Sequence, residues 1–294
     1  MKIGFIGLGR MGQGMAGRIQ SAGHDLLVHD PVPGQTTALE KAGAVAAASP
    51  AAASEGRDVV ISMLPSDSAL SAVLCNEGGL IEGMDQTCIH MAMGTHGVQA
   101  INQAVAAHKE ADQHFVACPV LGRPDLAAEG LISLGPGGPK DSIEKVRPLF
   151  DVLGKQTFEV GENPQAAAAV KVTNNFVLGC AIETMGEAFA LVEKLGVKPE
   201  LFLDVMTKGL FAAPAYEVYG RFIVDQMWES HGATAVIGLK DAYLALEAAA
   251  AADMPLPSTH IWRDHLMKAI DRGEGALDWA VMAREQARAS GLDK

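Results

Sequence analysis

Short apolar runs alternate with stretches of helical period through the first half of the chain. Lys2–Ile6, Asp25–His29, Asp58–Met63, Thr87–Met91 and His114–Ala117 read as buried strands, and Arg10–Ala22 between the first two reads as a helix. Strand–helix–strand repetition at this spacing predicts parallel strands joined by crossover helices, an α/β doubly wound sheet. Leu131–Leu134 and Thr157–Val160 follow as later strands, separated by a helix over Pro139–Val152. The Ala-rich segments Ala44–Ala53 and Leu246–Ala252 are read as helix rather than low complexity, because alanine is the best helix former.

The pattern changes after Gly161–Pro164. Six stretches of helical composition follow with almost no strand signal: Pro164–Leu195, Lys198–Lys208, Tyr216–Trp228, Thr234–Ala252, Ser258–Arg272 and Trp279–Ser290. The expected organisation is a sheet domain over 1–162 and an all-α domain over 163–294, with 163–195 as an interdomain helix. At ~1.5 Å per residue, that helix is long enough to cross a domain.

Composition narrows the function. The net charge of −12 disfavours nonspecific binding to nucleic acid or acidic lipid. No apolar run approaches the ~20 residues needed to span a bilayer, and the start is too short and too Gly-rich for a signal-peptide core. A cytoplasmic protein with neither membrane nor nucleic-acid partner is expected. Cys75, Cys88, Cys118 and Cys180 are scattered, and the nine histidines (His24, His29, His90, His96, His108, His114, His231, His260, His265) form no metal spacing. No metal site is expected. Most of the histidines are read as core or surface residues, with His96 near the expected cleft and in a position to touch substrate.

The first chemical signal is Gly7-Leu8-Gly9-Arg10-Met11-Gly12, a GxGxxG between a strand and a helix. Gly7 permits a tight turn, Gly9 lets backbone approach a pyrophosphate, and Gly12 allows close helix–strand packing. The helix N-terminus offers unpaired N–H groups to the anion. Asp30 ends the second strand; a carboxylate there accepts hydrogen bonds from a ribose diol and repels a 2′-phosphate. Pro31–Ala38 carries no Arg or Lys, so NAD is favoured over NADP. Asp30 also suits a cap of the Pro31–Gly34 turn. Leu64 and Pro65 follow the strand ending at Met63, either as cofactor contacts or as an ordinary turn, with Ser66 able to cap the next helix.

The second signal is Lys171-Val172-Thr173-Asn174-Asn175 within the long helix. Lys171 and Asn175 share a face, with Asn174 adjacent. Polar residues in an otherwise apolar helix are costly unless they serve something. A lysine desolvated beside a cofactor exchanges protons near neutral pH, so Lys171 could take a hydroxyl proton as hydride leaves carbon, with Asn175 orienting it. The bland alternative is a lysine snorkelling from an amphipathic helix.

Together these residues resemble the β-hydroxyacid dehydrogenase family, over nearly the whole chain. The resemblance rests on FIGLGRMGQGMA (Phe5–Ala16), MLP (Met63–Pro65), PVLGRP (Pro119–Pro124), KVTNN (Lys171–Asn175) and GLKDAYLAL (Gly238–Leu246), in family order. It implies a Rossmann-type domain, a long connecting helix and an all-helical domain through which dimers or tetramers form. It implies Lys171 as acid/base with Asn175 as partner, and Lys240-Asp241 at the cleft with Lys240 near the nicotinamide. Three departures stand out. Leu121-Gly122-Arg123 replaces the family's Ser-Gly-Gly substrate loop, so the serine that would hold a substrate carboxylate is missing; Gly122, Arg123 and Asn174 are the substrate-contact candidates, with Arg123 either a bidentate carboxylate ligand or an exposed loop arginine. His90-Met91-Ala92-Met93-Gly94-Thr95 replaces an Asp-Met-Ser-Thr-like segment, so a cofactor threonine is either lost or moved to Thr95. Gln165 and Ala167 stand where glycines precede the lysine.

The expected activity is hydride transfer between a nicotinamide cofactor and a small 3-hydroxy acid or its semialdehyde. Two alternatives share the fold: an imine or iminium reductase, which the Gly-Arg-Pro loop and Met-Gly-Thr segment resemble, and a catalytically silent NAD-binding assembly module. Retention of Lys171, Asn175 and Lys240 favours the first reading.

Overall fold

The computed structural model describes residues 1–229 and 232–292. In chain order the elements are β1 (Lys2–Ile6), α1 (Arg10–Ser21), β2 (Asp25–His29), α2 (Thr37–Lys41), β3 (Val45–Ala46), α3 (Pro50–Ser54), β4 (Val59–Ser62), α4 (Asp67–Cys75), α5 (Leu80–Gly83), β5 (Ile89–Ala92), α6 (Val98–Glu110), β6 (His114–Ala117), β7 (Val120–Leu121), α7 (Pro124–Glu129), β8 (Ile132–Leu134), α8 (Lys140–Leu153) and β9 (Gly154–Thr157). Then come α9 (Pro164–Lys194), α10 (Pro199–Lys208), α11 (Pro214–Val224), α12 (Ala235–Ala251), α13 (Pro257–Asp271), a 3-10 turn (Trp279–Val281) and α14 (Met282–Ala289).

Six strands form one sheet in the order β3-β2-β1-β4-β5-β6, and every pairing is parallel. The strand order reverses between β1 and β4, and the crevice outside the carboxyl ends there is where open α/β sheets bind ligands. β4 and β5 are buried along their whole length. That fits a sheet covered on both faces, whose strands read as continuous apolar runs. Gly4 is required by this cover: a Cβ on it would stand 2.1 Å from the Ala53 carbonyl oxygen. Phe5, Met15, Ile19 and Phe150 fill one face, and Val60, Leu70, Leu80 and Ile101 the other. A small second sheet, β7-β8-β9, follows.

The chain divides into two compact units, 1–172 and 173–294, the division falling inside α9. The boundary expected near Gly161–Pro164 marks the start of that helix. The second unit is helical and packs around Trp262, Trp279, Phe189 and Leu266. The two indoles meet edge to face at 6.4 Å. Gly238 makes room for them, since a Cβ there would lie 2.8 Å from Trp279 Cε3.

Four expectations need correction. Ala44–Ala53 is not one helix: it holds the edge strand β3, and α3 begins only at Pro50, where Ser49 Oγ accepts the Ala52 N–H. The last strand is Gly154–Thr157 rather than Thr157–Val160, because Gly154 ends α8 and pairs at once with Ile132. The helix expected over Tyr216–Trp228 starts earlier, at Pro214, and stops before Gln226, whose φ is +56°. Finally, α9 does meet the length and composition for a membrane span, with mean hydropathy 1.3, but half of that window is buried inside the structure and it carries Lys171. That burial is the pattern of a core helix.

Candidate active site

The glycine-rich loop joins β1 to α1. Gly7 takes φ +92° and donates its N–H to the His29 carbonyl at 2.9 Å, so the loop turns against the end of β2. A Cβ on Gly12 would stand 2.0 Å from the Gly7 carbonyl oxygen, so only glycine lets α1 start this close to the loop. At Gly9 a Cβ would find nothing within 4 Å, which leaves open space at the N-cap of α1. No side chain caps that helix. A bare helix N-terminus facing open space fits the pyrophosphate of a dinucleotide. Arg10 is exposed and Met11 half-buried at the first positions of α1.

Asp30 follows β2 directly. Its Oδ2 accepts the Leu8 N–H at 2.7 Å and its Oδ1 accepts the Val32 N–H at 2.8 Å. The same carboxylate therefore steadies the loop and caps the following turn, which keeps it beside the site where a ribose would lie. Leu64 is buried, with Cδ2 at 3.2 Å from where a Gly7 Cβ would be, and Pro65 is exposed beside it.

Lys171 lies on α9 and is 9% exposed. It lines a small cavity with Ala92 at the end of β5, Gly94 and His96 beyond it, Ile101, Ala117 at the end of β6, Pro119 beyond it, and Ala168. The cavity thus sits at the carboxyl ends of β5 and β6, the same end of the sheet that carries the glycine-rich loop. Ala167, one of the residues replacing a family glycine, is fully buried, and its Cβ is 3.1 Å from where a Gly137 Cβ would be. Gly137 is what accommodates that methyl.

The segment after β5 is pinned by Asp67, the first residue of α4. Its carboxylate accepts the Gly97 N–H at 3.1 and 3.2 Å and meets His96 Nδ1 at 3.1 Å. Ser66 Oγ caps α4 by accepting the Ala69 N–H. Thr95 is half-buried in this segment. Gly94 leaves space for the neighbouring imidazole: a Cβ there would be 2.4 Å from His96 Nε2.

Behind it runs a buried relay. His90 Nε2 is 2.8 Å from Ser62 Oγ, His90 Nδ1 is 2.9 Å from His108 Nε2, and His108 Nδ1 is 3.0 Å from Gln113 Oε1. Gln113 Nε2 donates to the Ile81 and Met84 carbonyls, so Oε1 must accept. Hence His108 Nδ1–H donates to Gln113, His90 Nδ1–H donates to His108 Nε2, and the Ser62 hydroxyl donates to His90 Nε2. Both rings are neutral: burial pushes His108 down to about 4 and His90 well below the usual imidazole value.

In the second unit, Asn175 Nδ2 donates to Asp241 Oδ2 at 2.7 Å, and Lys240 Nζ lies 3.1 Å from Asp241 Oδ1. Asn174 Nδ2 reaches Asn175 Oδ1 at 3.4 Å. Asn175 and Asp241 are both buried. In the substrate loop, Gly122 is exposed, and a Cβ on it would meet Ile132 Cγ2 at 2.7 Å. Arg123, just before α7, holds one edge of its guanidinium on Asp125, Nη2 to Oδ2 at 2.7 Å and Nε to Oδ1 at 3.3 Å.

Residues 2–161 match the family model described as the NAD binding domain of 6-phosphogluconate dehydrogenase, and residues 166–285 match NAD-binding of NADP-dependent 3-hydroxyisobutyrate dehydrogenase. The chain belongs to the 3-hydroxyisobutyrate dehydrogenase-like family of β-hydroxyacid dehydrogenases. It is 39% identical to the uncharacterized oxidoreductase YfjR of Bacillus subtilis, over 97% of this chain and 99% of that protein. It is 31% identical to the NAD-dependent L-serine dehydrogenase of Pseudomonas aeruginosa, over 96% and 97%. Among solved structures, the 3-hydroxyisobutyrate dehydrogenase of Mycobacterium tuberculosis with L-serine superposes with a TM-score of 0.87 at 25% identity, covering 96% and 98%. A Streptomyces aurantiacus imine reductase shares the fold, with a TM-score of 0.62 at 20% identity over 97% and 99%. As a member of the 3-hydroxyisobutyrate dehydrogenase-like family, the chain is an oxidoreductase with an NAD(P)-binding, Rossmann-type first unit.

Within this family member, the first unit gathers Gly7–Gly12, Asp30, Leu64, Pro65, Thr95 and Lys171 at one end of its sheet, while Asn174, Asn175 and Lys240 cluster in the second unit. One organising acid was missed: Asp67 left only the trace of an acid opening a helix. Asp241, expected at the cleft with Lys240, also holds the Asn175 amide. His96, expected near the cleft, lines the Lys171 cavity. In the second unit Met206 is buried in the helical core with Tyr216 and Trp228 packed on it, and the rings of Phe211 and Tyr216 meet at a tilt with centroids 5.2 Å apart. His231 lies outside the described residues. Among the described residues no group of three or more His, Cys, Asp or Glu side chains comes together to hold a metal.

Proposed function

We propose that the chain oxidises a small 3-hydroxy acid to its semialdehyde or ketone, or runs the reverse reduction, using NAD(H) with Lys171 as general acid/base. The observation that carries this reading is the buried Lys171 in a cavity at the carboxyl ends of β5 and β6. Bound NAD supplies a nicotinamide ring that accepts the hydride from the carbinol carbon and returns it in reduction. Lys171 Nζ takes the hydroxyl proton in oxidation and delivers it to the oxygen in reduction. The apolar walls, Ala92, Ile101, Ala117 and Ala168, keep water away from that oxygen. Asn175 follows one turn later on the same helix, with its amide held by Asp241.

Support for NAD over NADP comes from Asp30, whose carboxylate stands beside the loop where a 2′-phosphate would bring like charge. Arg123 is the candidate for a substrate carboxylate at the loop, although Asp125 already occupies one edge of its fork. Assembly into dimers or tetramers through the helical unit is proposed on the family resemblance.

The test follows NADH and NADPH absorbance over a panel of 3-hydroxy acids, semialdehydes and cyclic imines. Turnover of an acid or semialdehyde with NAD(H) is expected, with Lys171→Ala lowering kcat by about 10²- to 10⁴-fold. Turnover of imines alone, or an unaffected Lys171→Ala, overturns the reading.

A further inference from the structure

His96 is the second ionisable side chain on the wall of the Lys171 cavity. It is 2% exposed and is aimed by Asp67, which fixes Nδ1 as a donor at 3.1 Å. Asp67 is itself held by the Gly97 N–H, so the ring cannot swing without losing those contacts. The opposite ring atom, Nε2, lies against Gly94, another wall residue of the cavity, at a distance only glycine tolerates. A buried imidazole with an acid behind it and a cavity in front can present its Nε2 to a ligand in that cavity. The serine that the resemblance would give for a substrate carboxylate is absent, and the cation of that loop, Arg123, is engaged by Asp125.

We propose that His96, positioned by Asp67, is the residue that binds the substrate's carboxylate, through Nε2–H in its imidazolium form. The inference rests on Lys171's cavity being the reaction site. The titratable groups around His96 are Asp67 from α4, Lys171 from α9 and His90 from β5. The Asp67 carboxylate holds one edge of the ring, and Lys171 lines the same cavity. The incoming carboxylate supplies the remaining favourable charge, so binding draws a proton from solvent.

The test titrates the NADH complex calorimetrically with 3-hydroxypropanoate and with 1,3-propanediol, which lacks the carboxylate. The wild type is expected to prefer the acid by about tenfold or more, a difference a charge-assisted hydrogen bond supplies. The heat should vary between buffers of different ionisation enthalpy, reporting proton uptake. His96→Gln should lose that preference and the proton uptake while binding NADH as before. Asp67→Asn, which preserves shape, should weaken the preference and guards against a folding defect in the first variant. Preference retained in His96→Gln, equal binding of acid and diol by the wild type, or loss of preference in Arg123→Leu instead, overturns the assignment. Lys171→Ala separates this from the acid/base reading: it should stop turnover yet keep the preference, so normal turnover there sinks the acid/base role alone.

Discussion

Gly9 and Gly12 sit three residues apart in one loop, yet a methyl group added to each would meet different things. At Gly12 it would collide with the Gly7 carbonyl at 2.0 Å, whereas at Gly9 it would enter open space. Gly12→Ala is therefore expected to distort the loop and lower the melting temperature as well as cofactor affinity. Gly9→Ala, with φ near −68°, should fold normally but place its methyl where backbone must approach the pyrophosphate. Its NADH Kd should rise by about tenfold or more with Tm unchanged within a degree or two, read by fluorescence titration and thermal melt. This contrast was legible in the sequence, because the motif assigns each glycine a separate duty. The duty of Asp241 was not, since a side chain that orients another leaves no spacing rule. Asp241→Ala removes the acceptor at 2.7 Å from the buried Asn175 amide, and should cost about 1–3 kcal/mol in the unfolding of the second unit. Asp241→Asn keeps an acceptor oxygen and should cost less, measured by urea denaturation.

Elements in the first unit are tied by polar bonds that hydrophobic pattern does not show. β1, β2 and β6 were placed to the residue because their apolar runs end at polar or glycine punctuation. β3 was missed because two residues on a sheet edge carry too little pattern to outweigh the alanines around them. The relay through Ser62, His90, His108 and Gln113 links β4, β5, α6 and the loop before β6, and only folding brings its members together. It has a pH consequence. Both folded imidazoles titrate below the unfolded value of 6.5, so as pH falls the unfolded chain takes up protons that the native state refuses. Stability is present above about pH 6.5 and is lost between there and about pH 4, by roughly 3 kcal/mol for His108 alone at about 1.4 kcal/mol per pH unit. Urea midpoints from pH 7.5 to pH 4 should fall accordingly. His108→Gln, which can accept from His90 and donate elsewhere, should flatten the slope by about half.

For the whole molecule, the alternation of strands and helices followed by helices alone announces an α/β unit and a helical unit, because burying a parallel sheet demands crossover helices on both faces. The sequence pattern placed the change at the start of α9, and the compact units part further along, after Val172. A helix that leaves one core and enters another shows no break in period at the point of exit, so that offset could not be read from sequence. Lys171 and Asn175 fall on the two sides of that division. The two units should respond differently to cofactor. NADH at a hundredfold its Kd adds about 2.7 kcal/mol to whatever unfolds with the glycine-rich loop. Calorimetry with and without NADH should shift the transition of the first unit, and a shift of equal size in a resolved second-unit transition would contradict this.

The directionality of the histidine relay also makes it a reporter. Its two imidazole N–H groups point the same way and are sealed from water by Phe115 and the sheet. Ring protons of ordinary histidines are lost to solvent too quickly to be followed. These two exchange with deuterium only when the strands carrying Ser62 and His90 separate, so their far-downfield proton resonances serve as a clock for opening of the nucleotide-binding sheet. Bound dinucleotide should slow that clock, while a ligand that touches only the helical unit leaves it running at its original rate.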